Sequence, residues 1–192
     1  VNKQEQHKKH QEQTAEIYAA IGQFAVKFEH VCHSMQMGIM AILQKHGLKD
    51  QTIGQAVLAG MTAGPLRESF ISVIQKTYHP WSDKEQKMIK NINQRIQKLI
   101  ETRNDMLHRM WFVGWGSESQ EDFSSAHGSK FKNTGKGVEQ RGLDYSASDF
   151  DLLSLQADDL NKLVGRLCGA VLSGLKIENN FILEPDGTVK IP

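Results

Sequence analysis

The chain has 192 residues, of which 39% are hydrophobic and 23% charged, the make-up of one soluble globular domain with decorations rather than two full domains. A net charge of +1 excludes a strong overall nucleic-acid signature, while leaving room for a local basic patch offset by acidic segments. The two cysteines, Cys32 and Cys168, stand far apart, outside any C-x-x-C and on the apolar sides of helical patterns, which suits reduced core residues better than a redox or metal role.

Residues 1 to 13, "VNKQEQHKKHQEQ", have almost nothing to bury and read as a polar tail or the solvated start of the first helix. They lack the apolar core of a secretory signal, and no stretch of the chain is apolar for long enough to span a bilayer, so the expectation is a cytoplasmic protein. From Thr14 a helical period places Ile17, Ile21, Phe24, Phe28, Val31, Met35, Ile39 and Ile42 on one face, and Gly47 suits the helix end. "QTIGQAVLAGMTAG" is compatible with a short helix or an irregular crossing. "GPLRESFISVIQKTYHP" gives a firm helix, with Pro65 in its first turn and Pro80 beyond its end. A long helix follows, its start marked by the Ser82 and Glu85 capping box and its end by the glycines of "FVGWGSES".

Residues 113 to 145 carry turn formers such as "NTGKG" between short β-like runs, and predict an inserted hairpin or loop. Helical spacing returns with Leu160, Leu163, Val164, Leu167, Val171 and Leu175, with a cap expected near Ser154. In the segment 178 to 192, Asp186-Gly187 lies between two β-like runs and signals a short hairpin. The expected architecture is therefore all-α: an up-and-down bundle over 14 to 177, interrupted by one hairpin and followed by another.

The unusual stretch is "IETRNDMLHRMW", residues 100 to 111. Counted at 100° per residue, Ile89, Ile92, Ile96, Leu99, Ile100, Leu107 and Met110 form one apolar arc with Arg103 in its middle, while Asn104, His108 and Glu101 share an adjoining polar edge. A guanidinium cannot discard its charge, so Arg103 requires a carboxylate or an anionic ligand such as a phosphate. Glu29, flanking the apolar face of the first helix, is the candidate carboxylate. Cleavage of an RNA phosphodiester requires a base for the 2′-hydroxyl proton, an acid for the leaving 5′-oxygen and donors for the phosphorane. Histidine, arginine and asparagine fit those tasks, and a second copy across a twofold axis would supply the second histidine.

"RNDMLH" resembles the R-[polar]-x-x-x-H signature of the HEPN superfamily. The resemblance implies an all-α domain and a metal-independent endoribonuclease acting as a homodimer, without a cofactor, in a toxin or antiviral defence setting. It maps Arg103, Asn104 and His108 onto the family's catalytic arginine, polar residue and histidine, with Glu29 and Glu101 in support. In one branch an antitoxin partner modifies a tyrosine two residues after the histidine; Met110 occupies that position here. The other reading is a non-catalytic dimeric binding module.

Lys130, Lys132, Lys136 and Arg141, with Phe131 among them and only Glu139 opposing, make a basic loop able to hold an RNA backbone and stack a base. Acidic runs at Glu118 to Asp122 and Asp144 to Asp159 flank it. Trp111 and Trp115 suit core or dimer packing better than base stacking. Glu29 and His33 are one helical turn apart, but the H-E-x-x-H pattern is missing and His30 and His33 lie off the apolar side, so no metal site is expected. His7, His10, His46, His79 and His127 read as surface residues without a role.

Overall fold

The computed structural model describes residues 3–77, 80–116 and 122–192. His79 and most of the acidic run at Glu118 to Asp122 lie outside the described residues. Helix α1 spans Lys3–Lys45, α2 Gln51–Leu58, α3 Ala63–Thr77, α4 Asp83–Leu107 and α5 Ala147–Ser173. Strands β1 (Met110–Phe112), β2 (Ser125–Thr134) and β3 (Gly137–Ser146) separate α4 from α5, and β4 (Ile182–Leu183) and β5 (Val189–Lys190) end the chain.

The expected all-α class is corrected to a mixed α/β fold. The segment after α4 forms a three-stranded antiparallel sheet in the order β1-β2-β3, and the ten-residue strands β2 and β3 pair throughout, from Ser125↔Ser146 to Thr134↔Gly137. The small β4–β5 sheet, the hairpin expected around Asp186-Gly187, adds to the strand content. Its turn has Gly187 at φ +84°, and the Glu184 amide donates to the Thr188 carbonyl at 2.9 Å.

The chain divides into two compact units, Val1–Lys27 with Thr102–Gln156, and Phe28–Glu101 with Ala157–Pro192. In the first, the described part of the polar opening is helical and anchored. The His10 ring donates from Nε2 to the Gly114 carbonyl at 3.1 Å and lies 3.9 Å from the Phe123 ring. Gln13 donates to Asp122 at 2.8 Å and accepts from the Phe123 amide at 3.0 Å. Ile17, Phe24, Met106, Val113, Ala126 and Phe150 are buried. In the second, the apolar faces that the period marks out are buried at Phe28, Met35, Ile42, Leu66, Phe70, Ile74, Ile92, Ile96 and Leu167.

Caps locate the helix starts. At α4 the box is formed as expected: the Ser82 amide donates to Glu85 at 3.1 Å and the Glu85 amide to Ser82 Oγ at 3.2 Å. The other Glu85 oxygen accepts the Ile177 amide at 2.8 Å, so this buried carboxylate also fixes the start of the C-terminal segment. At α5 the cap is Ser146, not Ser154. The Ser146 amide donates to Asp149 at 2.8 Å and the Asp149 amide to Ser146 Oγ at 3.3 Å, whereas Ser154 is a buried mid-helix residue whose hydroxyl donates to the Phe150 carbonyl. The earlier start adds two helical turns that begin in the same residues that close β3.

Candidate functional site

The motif lies at the place where α4 stops. The His108 amide still bonds back to the Asn104 carbonyl at 3.2 Å, the Arg109 amide tightens onto Met106, and from Met110 the chain is a strand. A helical period holds only while the helix lasts, so the wheel misplaces the residues beyond it. Met110, beyond the helix and expected in the apolar arc, is 64% exposed, and Leu107, the last residue of α4, is 49% exposed. Met106 is buried instead, and its carbonyl accepts the Trp111 indole N–H at 2.9 Å.

Arg103 is half-buried, and Asn104 and His108 are exposed. One Arg103 nitrogen donates to the Asn104 carboxamide oxygen at 3.2 Å. This bond turns the amide's acceptor toward the guanidinium and its N–H2 outward. The structure thus joins arginine and asparagine directly, with the histidine on the terminal turn next to them in the chain. Glu29 and Glu101 belong to the second unit. Glu29 is exposed on α1, and Glu101 accepts a hydrogen bond from Gln97 at 2.6 Å.

The sheet is tied to the motif through Asp105. Arg109 donates to one oxygen of that carboxylate from two nitrogens, at 3.0 and 2.6 Å, and Lys130 of β2 reaches the other oxygen at 3.1 Å. Partial burial raises the Asp105 pKa, but the hydrogen bonds and charges of Arg109 and Lys130 outweigh it and hold the carboxyl below its ordinary value. Arg109 also donates to the Arg141 carbonyl of β3 at 3.1 Å, locking the hairpin in place. Asp105 fills a variable position of the motif and Arg109 follows it, so only their i, i+4 spacing marks them in the sequence.

Of the four hairpin cations expected to hold RNA, two already face carboxylates. Lys130 pairs with Asp105, and Arg141 makes two bonds to Glu139 at 3.1 and 2.9 Å. Lys132 and Lys136 are exposed toward the hairpin tip, next to Phe131, which is 68% exposed. Trp111 packs edge-on against Phe150 at 5.4 Å, while Trp115 is 74% exposed. His127, assigned no role from sequence, donates from Nδ1 to Asp144 at 2.8 Å.

Among the described residues no three His, Cys, Asp or Glu side chains are grouped as metal ligands, and no helix is long and apolar enough to cross a membrane. Comparison with known proteins finds no matching family model, no matching curated protein and no matching solved structure.

Proposed function

We propose that this protein is a metal-independent endoribonuclease that cleaves RNA by attack of the 2′-hydroxyl, in a site composed by two copies of the chain, as in the HEPN endoribonucleases whose motif it resembles. Arg103 holds the scissile phosphate and the phosphorane, Asn104 orients the arginine, and His108 from each copy serves as base or acid. The observation that carries this reading is the Arg103 to Asn104 hydrogen bond beside an exposed His108 at the open end of α4. An oriented guanidinium and an imidazole open to solvent are what a phosphodiester requires. The exposed Leu107 and Met110 on either side of His108 offer apolar surface for the second copy. The setting is cytoplasmic toxin or antiviral defence, with an antitoxin or other regulatory partner restraining the activity.

Incubation with RNA in EDTA tests the reading. Wild type cleaves, and His108→Ala and Arg103→Ala each lose about a hundredfold or more, the usual contribution of a general acid or base. Cleavage that needs a divalent ion, or that survives both substitutions, removes the proposal.

One observation favours a second reading, a non-catalytic dimeric binding module. Lys130 and Arg141 are held by Asp105 and Glu139, which lowers the charge available to a polyanion. On that reading His108→Ala leaves function intact, and disruption of the β2–β3 hairpin abolishes it.

A further inference from the structure

The sheet has two unlike faces. Alternation along β1, β2 and β3 puts Trp111, Ala126, Gly128 and Tyr145 on one side, where the Trp111 ring lies 6.0 Å from Tyr145 and 5.4 Å from Phe150. The opposite side carries Phe112, His127, Phe131, Gln140 and Asp144, with Trp115 folded against Phe112 at 5.4 Å. That second side is open: Phe131 and Trp115 are 68% and 74% exposed, and the His127 side chain 49%. An open face of an antiparallel sheet is ordinarily polar, so exposed aromatic rings here call for a ligand.

The polar groups between the rings indicate which ligand. His127 is set by Asp144 at 2.8 Å, and Gln140 donates to Ser129 Oγ at 2.9 Å, leaving its carboxamide oxygen as an acceptor. The His127 ring lies over Gly142, where a Cβ would come within 2.9 Å of it, so the glycine lets the imidazole lie across the sheet. The Phe112 and His127 rings are 6.3 Å apart and 31° from parallel. An apolar protein surface on this face would bury Asp144, His127 and Gln140 without full partners, a costly outcome. A row of unstacked nucleobases would place π-faces on the rings and hydrogen-bonding edges at those polar groups. In the hairpin from 125 to 146 the same register puts Lys130, Lys132 and Arg141 on the Trp111 side, so Lys136, exposed in the turn at the outer end, is the hairpin cation left to meet a phosphate backbone.

We infer that the open face of the β1-β2-β3 sheet is a stacking platform for single-stranded RNA, with Phe131, Trp115 and the Phe112–His127 pair as base seats and Lys136, in the turn at its outer end, as a backbone contact. The inference rests on the proposed RNA substrate and says how the strand is recognised next to the cleavage site.

The test measures binding by fluorescence anisotropy with a labelled 2′-O-methyl RNA strand, which lacks the attacking hydroxyl, so that binding is read independently of cleavage. The wild-type protein binds the single strand and binds its duplex far more weakly. Phe131→Ala and Trp115→Ala each weaken single-strand binding by about tenfold, and Lys136→Gln lowers the salt dependence. Both aromatic positions are exposed, so circular dichroism and melting temperature stay at wild-type values. Equal binding by wild type and the aromatic variants overturns the inference, as does equal binding of strand and duplex. A dimer that falls apart on Phe131→Ala while RNA binding is unchanged overturns it too, by making the face a protein interface. Binding that fails while EDTA-resistant cleavage persists removes only this inference; binding that holds without cleavage removes only the nuclease reading.

Discussion

Asp105 gives a sharp test of how the sheet is held to the motif. Replacing it by asparagine keeps the shape and removes the charge that faces Arg109 and Lys130. The Arg109 side chain is only 8% exposed and loses two hydrogen bonds to a carboxylate; such bonds are worth about 1.5–3 kcal/mol when the charged partner is removed. The larger loss of a fully buried pair does not apply, since Asp105 itself is 42% exposed and Arg109 keeps its bond to the Arg141 carbonyl. Lys130, one-third exposed, adds less than about 1 kcal/mol. The expected loss is therefore about 2 kcal/mol in urea unfolding at neutral pH, with Lys130→Ala losing clearly less.

The pH dependence follows from the same contacts. The Asp105 carboxyl titrates lower in the folded than in the unfolded chain, so its stabilisation is complete above the ordinary value of 3.8 and is lost as the pH falls through the folded value. The gap between wild type and Asp105→Asn is thus full at neutral pH and closes in strong acid. A gap below about 0.5 kcal/mol at neutral pH, one that persists in acid, or a larger effect from Lys130→Ala would show that Asp105 does not hold the sheet in this way.

Three further outcomes concern the second unit. Gly38→Ala would drive a Cβ into Cys168 Sγ, an overpacking that lowers stability by about 1–3 kcal/mol in calorimetry; the exposed mid-helix Gly169→Ala, with open space around it, is neutral or stabilising. Glu85→Ala leaves the Ser82 and Ile177 amides without their acceptor and lowers stability by about 2–3 kcal/mol, and hydrogen exchange shows Ile177 losing protection ahead of the α4 core. Burial pushes the Cys168 thiol up to about 12, so alkylation at mildly alkaline pH is slow in the native protein and becomes fast on adding denaturant.

The helices were legible because their apolar period, caps and glycine stops agree at the same places. The α4 start follows directly from Ser82 and Glu85, and the C-terminal turn from Asp186-Gly187. The sheet was less so. β2 reads "SAHGSKFKNT" and β3 "GVEQRGLDYS", with few β-branched residues and little alternation, since one face of the hairpin is open and its outer half has no core to meet. Their pairing is fixed by the turn at Gly135 and Lys136 and by contacts remote in sequence: Arg109 to the Arg141 carbonyl, and Lys130 to Asp105. The wheel that singled out Arg103 also carried Met110 into the core, because nothing in the local pattern announces that the helix ends at Leu107. The Ser154 cap failed because the helix was read from where its apolar spacing is plain, whereas the Ser146 and Asp149 box starts it earlier, directly at the close of β3.

Cleavage of RNA by its own 2′-hydroxyl, at a site built from Arg103, Asn104 and His108, is the activity we propose for this protein. Its most direct measurement is the chemistry of the product ends after incubation of wild-type protein with RNA in EDTA, read by mass spectrometry. Attack by the 2′-oxygen on phosphorus, with loss of the 5′-oxygen, leaves a 2′,3′-cyclic phosphate and a 5′-hydroxyl. The wild type is expected to give those ends and His108→Ala to leave the RNA uncut; fragments ending in a 3′-hydroxyl and a 5′-phosphate, or RNA left intact by the wild type, would rule out the proposed activity.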